Sequence, residues 1–175
     1  MKKLWFLGLG LSLLLVGCSD TGSEEGKKEE SAKSSEENTN AAGDLMDFYL
    51  NLTTTVNGTD MDLNAYEAAV GGEAPPSGDE LAKLEDAAAV SAEESAKAVE
   101  NAEIPSGLND YKKDLEDFKA TLAESYTMKA AALKKDGEAD LTAAEEKLIE
   151  AENQIKAILE DAGLVSSSLI NDLNG

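Results

Sequence analysis

The sequence predicts an all-α protein, an antiparallel up-down four-helix bundle behind a polar N-terminal segment. From Asp44 onward the apolar residues recur at steps of three and four, which is the period of a helix and not the alternation of a strand. All three prolines fall between these periodic stretches. The connections between the stretches are short, which favours antiparallel packing of successive helices.

The first 17 residues have the layout of a secretion signal. Lys2 and Lys3 precede an uncharged run from Leu4 to Val16, and the single cysteine, Cys18, follows directly after Gly17. A membrane-spanning helix needs about twenty apolar residues, and this run is shorter. The pattern therefore predicts a signal peptide that directs the chain out of the cytoplasm.

The stretch Leu15-Val16-Gly17-Cys18 resembles the lipobox of bacterial lipoproteins. In that family the signal peptide is cut before the cysteine, and the thiol of this cysteine carries a diacylglyceryl group. The resemblance implies cleavage between Gly17 and Cys18 and lipidation of Cys18. It also implies that the mature protein is anchored in the cell membrane on the extracytoplasmic face. The resemblance covers residues 1–18 alone.

Residues 18–43 read CSDTGSEEGKKEESAKSSEENTNAAG, and after Cys18 they contain no apolar side chain larger than Ala. Such a segment buries too little surface to offset the conformational entropy lost on ordering. We predict that residues 18–43 are a disordered acidic tether. It would separate the lipid anchor from a helical bundle domain, residues 44–175.

The first helix of this domain is predicted from about Asp44 to Val70. Asn57-Gly58 interrupts the pattern, and the apolar phase continues across the interruption. One bent helix is therefore favoured over two helices joined by a turn. The apolar side of this helix consists of Leu45, Phe48, Leu52, Val56, Thr59, Leu63, Tyr66 and Val70.

Three further helices follow. The second is predicted to begin with a capping box made by Ser77 and Glu80 and to end before Pro105. The third runs from Ser106 or Asn109 to Lys135. The fourth has the most regular apolar seam, which is typical of bundle packing and consists of Leu141, Ala144, Leu148, Ala151, Ile155, Ile158 and Ala162.

Two questions about this domain stay open at the level of sequence. The tail after Gly163 is either packed or frayed. The alternative to a four-helix bundle is a three-helix bundle made of the last three helices, with residues 44–74 packed loosely on one side.

No residue pattern indicates catalysis, a metal or a cofactor. The chain has no histidine, and we find no Gly-rich phosphate loop and no hydrolase or metalloprotease motif. Asp60 to Asn64 match three ligand positions of an EF-hand loop, but Ala65 and Gly71 stand where that loop needs glycine and glutamate. We therefore predict no catalytic residue and no metal site, and weak cation binding by acidic loops stays open.

A second acidic loop, Asp136 to Asp140, matches the EF-hand pattern even less well. Four glutamates of the fourth helix lie on its polar side and are predicted to form a solvated face: Glu145, Glu146, Glu150 and Glu152.

Charge restricts the classes of partner. Removal of residues 1–17 leaves 13 lysines, no arginine and 36 acidic residues, a formal charge of −23. Nucleic acids and anionic lipid head groups are bound by clusters of Lys and Arg, so neither is an expected partner. The acyl chains on Cys18 must then provide the membrane attachment.

The Lys-rich, Arg-free helical body resembles small helical lipoproteins of Gram-positive bacteria in its general layout. That resemblance implies a structural or protein-interaction module at the cell envelope, with an envelope protein as partner. The alternative function is binding of a small molecule or a cation by the bundle. A cavity lined by Tyr66, Tyr111 and Tyr126 would favour ligand binding, whereas a filled core would favour display of a surface to a protein partner.

Overall fold

The computed structural model describes the backbone of residues 28–135 and 139–174, with side chains from residue 41 onward in those ranges. All regular secondary structure in this part of the chain is helical and none of it is strand, so the predicted all-α class is confirmed. A 3₁₀ turn, Ser106–Leu108, lies between the third and fourth helices. The six α-helices are α1 Lys28–Asn57, α2 Met61–Val70, α3 Asp79–Asn101, α4 Lys112–Leu133, α5 Thr142–Asp161 and α6 Leu169–Leu173.

The first helix starts earlier than the sequence predicts. α1 begins at Lys28, so residues 28–43, which the composition assigns to the tether, have a helical backbone. Glu, Lys and Ala in this stretch are good helix formers, and extending an existing helix costs much less than nucleating one. Among the residues whose side chains are described, from residue 41 onward, the first fully buried one is Leu45, close to the predicted start of the domain. Residues 1–27, with the predicted signal and the start of the tether, lie outside the described residues.

The prediction of one bent helix across Asn57-Gly58 is wrong, because α1 and α2 are separate helices. The N–H of Gly58 still bonds to the carbonyl of Thr54, and the N–H of Asp60 bonds to that of Val56. The chain then leaves the helical path between Gly58 and Asp60. The apolar phase survives this break, which is why the sequence pattern alone does not reveal it.

The helices pack mostly in chain order. α2 packs against α3, α3 against α4, and α4 against α5, while α1 contacts α3, α5 and the 3₁₀ turn. Short side chains on the buried side of α3, among them Ala88, Ala92 and Ala96, leave room for the backbone of α4. The terminal helix α6 contacts both α1 and α5, so the tail after Gly163 is packed.

The start of α3 differs from the predicted capping box. α3 begins at Asp79, and its N-cap is Gly78, with φ of 61° and no side-chain hydrogen bond. Ser77 therefore lies one position too early to cap this helix. A glycine suits this position because left-handed backbone is strained for other residues.

The predicted apolar seams of the later helices are buried at their centres and partly buried towards their ends, for example at Leu141 and Leu148. Leu115, Phe118 and Leu122 of α4 are fully enclosed, and so are Ala151 and Ile155 of α5. Across the described residues, no helix combines the length with the apolar character that a membrane-spanning segment requires.

Candidate functional site

Buried and half-buried polar side chains meet where α1 gives way to α2, and we call this group the junction cluster. It comprises Thr59 and Asp60 at the break, Glu67 of α2, Ser91 and Ser95 of α3, and Tyr126 and Lys129 of α4. Three helices thus contribute polar groups to one region of a mostly apolar core.

Ser91 replaces one backbone hydrogen bond of the broken helix. In an uninterrupted helix the N–H of Leu63 would bond to the carbonyl of Thr59. Instead the Ser91 hydroxyl donates to the Thr59 carbonyl at 2.7 Å and accepts from the Leu63 N–H at 3.2 Å. The hydroxyls of Thr59 and Ser95 lie 2.9 Å apart and extend the network. α3 therefore fixes the position and shape of the break.

Asp60 is a buried carboxylate with incomplete hydrogen bonding. Its side chain is 1 % exposed, and its Oδ2 accepts a hydrogen bond from the Tyr126 hydroxyl at 3.0 Å. Its Oδ1 is buried and has no hydrogen-bond partner. Burial raises the pKa of Asp60 above its ordinary range, and burial beside Asp60 also raises the pKa of Tyr126.

Lys129 supplies the positive charge of the junction cluster. The residue is 5 % exposed, and its Nζ donates to Glu67 Oε1 at 2.6 Å. The same Nζ lies 6.0 Å from the centre of the Tyr126 ring, at the outer limit of a cation–π contact. Lys129 thereby partly balances the two carboxylates of the cluster, Asp60 and Glu67.

A second polar site holds the terminal helix, and we call it the α6 groove. Leu169 and Leu173 are 0 % and 2 % exposed, so α6 presents two leucines four residues apart to the body of the domain. The carboxylate of Glu152, on α5, accepts from the Ile170 N–H at 3.1 Å and from the Ser168 hydroxyl at 3.2 Å. Glu152 therefore caps the N-terminal end of α6.

Side chains from α1 and α2 bind the opposite end of α6. Asn57 Nδ2 donates to the Asp172 carbonyl at 2.8 Å, and Asn64 Nδ2 donates to the Leu173 carbonyl at 3.1 Å. The Tyr49 hydroxyl donates to Asp172 Oδ2 at 2.5 Å. Burial, reinforced by this hydrogen bond to Asp172, raises the pKa of Tyr49 to about 12.

A third feature is an open acidic groove of about 300 Å³ between α4 and α5. Its polar side chains include Asp114, Asp117 and Asp161, and Tyr111 and Ile158 add apolar surface. Gln154 Oε1 is buried at this groove without a hydrogen-bond partner. Burial, together with the negative charge of Asp161, raises the pKa of Tyr111. The lining thus offers mainly hydrogen-bond acceptors and negative charge.

Comparison of the chain with protein-family models, curated proteins and solved structures finds no match.

The structure does not gather the three tyrosines around one cavity. Tyr66 and Tyr126 lie in the core, whereas Tyr111 lines the acidic groove on the outside of the domain. Gly17 and Cys18, the predicted cleavage and lipidation residues, fall outside the described residues.

The acidic segments have different roles in the structure. Asp60 precedes α2 and is buried, so the stretch from Asp60 to Asn64 is not an open loop. Asp140 Oδ1 accepts from the Thr142 N–H at the start of α5. The prediction that Glu152 belongs to a solvated face is wrong, because its carboxylate binds the end of α6. Over the ranges that the structure describes, no group of three or more His, Cys, Asp or Glu residues is placed to hold a metal ion.

Two charged residues of the junction cluster, Lys129 and Asp60, occupy positions in the sequence from which their burial could have been predicted. Lys129 stands between Tyr126 and Leu133 at steps of three and four, so it occupies a seam position of α4. Asp60 has the same relation to Val56 and Leu63. In both cases, a charged residue at an apolar position of the helical pattern therefore indicates a buried charge. No comparable signal marks Asn57 or Asn64, because amides on a helix surface are common.

Proposed function

We propose that this protein is a lipoprotein anchored on the extracytoplasmic face of the cell membrane, where its helical domain acts as an interaction module for an envelope protein. The basic start, the short apolar run and the sequence Leu15-Val16-Gly17-Cys18 support the anchor. Diacylglyceryl Cys18 would hold the chain in the membrane, since two acyl chains give stable attachment. The proposal includes no catalytic step, no cofactor and no nucleic acid.

One observation carries the interaction role: the interior of the domain is filled with side chains. Phe118, Leu122 and Ile155 are buried in the core, and the Tyr126 hydroxyl is bonded to Asp60 within it. The core tyrosines therefore contribute to packing and do not surround a binding cavity. A domain of this kind has its helix surfaces available for recognition of another protein.

We also propose that the helices form an up-down four-helix bundle, with α1 and α2 together as the first arm and α3, α4 and α5 as the others. The contacts between helices that follow each other in the chain support this arrangement. Burial of Leu45, Leu52 and Val56 speaks against a loosely packed first helix. Pairwise distances between spin labels at the helix ends would test the arrangement, and parallel α3 and α4 would contradict it.

The anchor is tested by labelling cells with radioactive palmitate. We expect the wild-type protein to incorporate the label and to sediment with membranes, and the variant Cys18→Ser to do neither. Lys3→Gln is the matched control, since one basic residue still precedes the apolar run. Label retained by Cys18→Ser would refute lipidation at this residue.

The interaction role is tested by crosslinking intact cells and identifying the products by mass spectrometry. We expect a discrete product that joins the domain to one envelope protein, and we expect its yield to fall in Cys18→Ser cells, where the domain is not held at the membrane. The role would be contradicted if only the uncrosslinked chain is recovered while other lipoproteins of the same cells form crosslinked products.

The acidic groove supports a second candidate function, binding of an organic cation. Asp114, Asp161 and the free Gln154 oxygen would accept hydrogen bonds from ammonium groups, and Tyr111 would offer its ring. Calorimetric titration of the protein with spermidine tests this binding. Asp114→Asn with Asp161→Asn should weaken binding by about tenfold, corresponding to roughly 1.4 kcal/mol. Asp86→Asn, on the exposed side of α3, is the control, and equal binding by all variants would exclude the groove.

A further inference from the structure

The side chain of Asn57 joins the end of α1 to the end of α6. Its Nδ2 donates to the Asp172 carbonyl at 2.8 Å, and because a carbonyl only accepts, this contact identifies which atom of the amide is the nitrogen. Asn57 Oδ1 is buried and has no hydrogen-bond partner among the described residues. The hydrogen bond between this side chain and α6 therefore depends on the amide nitrogen.

The residue after Asn57 makes loss of that nitrogen chemically accessible. The backbone nitrogen that follows an asparagine can attack the side-chain Cγ, and glycine obstructs this attack least because it has no Cβ. Asn57 is followed by Gly58, which is exposed. Asn64 donates to the neighbouring Leu173 carbonyl at 3.1 Å but is followed by Ala65. Two asparagines thus bind the same end of α6, and one of them has the reactive sequence.

We propose that Asn57 is a site of spontaneous deamidation and that its conversion weakens the docking of α6. The Gly58 nitrogen forms a bond to Asn57 Cγ, and the side-chain nitrogen leaves as ammonia with the proton that Gly58 gives up. Water then adds to one of the two carbonyl carbons of the resulting succinimide ring and opens it to isoaspartate or aspartate. The proposal goes beyond the proposed membrane anchor and envelope partner and depends on neither.

The product opposes the contact that Asn57 makes. A carboxylate has no hydrogen to donate to the Asp172 carbonyl, so the end of α6 loses one of the partners of its terminal carbonyls. The negative charge also faces a carbonyl oxygen, which is a repulsive arrangement. Where the ring opens to isoaspartate, the main chain at the end of α1 gains a carbon atom. Each product therefore disfavours docked α6.

The docked structure slows the reaction. The Gly58 N–H bonds to the carbonyl oxygens of Thr54 and Thr55, each at 3.2 Å, while the Asn57 side chain is bonded to α6. These contacts must open before the Gly58 nitrogen reaches Cγ, so the reaction proceeds through local opening of this end of α1. Docked α6 thus protects Asn57, and conversion of Asn57 in turn opposes docking.

The first test measures conversion in the purified full chain, in the Cys18→Ser background. The folded protein is incubated in mildly alkaline buffer, which assists loss of the Gly58 proton, and tandem mass spectrometry of its peptides quantifies conversion at each asparagine. We expect Asn57 to be converted faster than Asn64, and faster still when urea removes the docking of α6. Conversion of Asn57 no faster than that of Asn64 in the folded chain would overturn the proposal.

Gly58→Ala is the matched variant for the chemical step. A Cβ at this position would lie 3.3 Å from the Thr55 carbonyl oxygen, a contact that a small shift relieves. We expect conversion of Asn57 to fall to the level of Asn64 in this variant, with unchanged helical circular dichroism. Undiminished conversion would show that attack by the Gly58 nitrogen is not the route.

The second test measures the consequence for α6. Asn57→Asp carries the aspartate product from the start, and Asn51→Asp adds the same charge at an exposed position of α1. Hydrogen exchange is followed in residues 168–174, where the Asp172 N–H bonds to the Ser168 carbonyl at 2.9 Å. We expect exchange about tenfold faster in Asn57→Asp than in the wild-type chain, the scale of one lost hydrogen bond, and no change in Asn51→Asp. Equal exchange in the two variants would refute the link between conversion and docking.

Discussion

At the scale of single residues, Ser91 determines the shape of the first arm of the domain. Its hydroxyl occupies the place of one helix hydrogen bond, with contacts of 2.7 Å to the Thr59 carbonyl and 3.2 Å to the Leu63 N–H. Leu63 is fully buried, so water does not replace the hydroxyl at its N–H. The break therefore depends on a side chain that is distant in sequence, which a reading of local patterns does not anticipate.

We expect Ser91→Ala to lower the free energy of unfolding by about 2–3 kcal/mol, because it leaves the Thr59 carbonyl and the buried Leu63 N–H without this partner. Chemical denaturation followed by circular dichroism measures this loss. The matched control is Thr127→Ala on α4, because the Thr127 hydroxyl bonds to the Ala123 carbonyl of its own helix. A loss for Ser91→Ala no larger than for Thr127→Ala would show that the break is held by other contacts.

The buried carboxylate of Asp60 makes stability depend on pH. Burial raises its pKa in the folded state above the value in the unfolded chain. The neutral form is thus favoured in the fold, and the contribution of Asp60 to stability is lost as the pH rises through the folded pKa. The loss begins near pH 4, roughly the ordinary range of aspartate.

Asp60→Asn removes this titration, so the difference in free energy of unfolding between variant and wild type should shift in favour of the variant as the pH rises from about 3 to 7. Urea denaturation at a series of pH values measures the difference. Asp62→Asn is the control, since Asp62 is exposed on α2. If the difference in free energy of unfolding stays constant over this range, burial does not raise the pKa of Asp60 in the folded state.

At the scale of helices, the end of α3 is stabilised by a side chain of α4. Lys119 Nζ donates to the Glu100 carbonyl at 3.1 Å and to the Ala102 carbonyl. The last carbonyls of a helix lack internal partners and carry partial negative charge, so a cation is favourable there. Burial lowers the pKa of Lys119, while the charges of Glu116 and Glu100 oppose this shift.

Lys119→Met keeps most of the length of the side chain and removes its charge and donors. We expect it to lower the free energy of unfolding by about 1 kcal/mol, the usual scale of a cation at a helix C-terminus. Lys113→Met is the matched control, because Lys113 forms an exposed ion pair with Asp117 that should contribute little. Thermal unfolding of both variants measures the difference. Equal unfolding midpoints for the two variants would contradict the capping role.

At the scale of the whole molecule, the sequence predicts the helical class and the buried seams better than it predicts junctions. Leu115, Phe118 and Leu122 follow the helical period, and the structure buries all three. The break at Gly58 was missed because the hydrogen bonds that stabilise it come from Ser91 on another helix. The docking of α6 was open for the same reason: Asn57 and Glu152 reach it from distant parts of the chain.

Net charge gives a prediction that belongs to the molecule as a whole. The full chain has a formal charge of −21, with 36 acidic residues against 15 lysines, so its excess of acids cannot be neutralised within the fold. Exposed pairs such as Lys112–Glu116 and Lys156–Glu160 contribute about 0–1 kcal/mol each, and salt weakens them. Repulsion among the remaining acids acts over the whole surface and is also screened by salt. The sign of the salt effect shows which of the two is larger.

We expect repulsion to be larger, so added sodium chloride should raise the free energy of unfolding by on the order of 1–2 kcal/mol, the scale of a few Coulomb interactions near the surface. Urea denaturation at low and high salt measures the change. Glu145→Lys with Glu146→Lys, at two exposed positions of α5, reduces the excess negative charge and should reduce the slope against salt. Glu145→Gln with Glu146→Gln should give an intermediate slope, because it removes two charges without adding any. A stability that falls with salt in all three chains would mean that the ion pairs outweigh the repulsion.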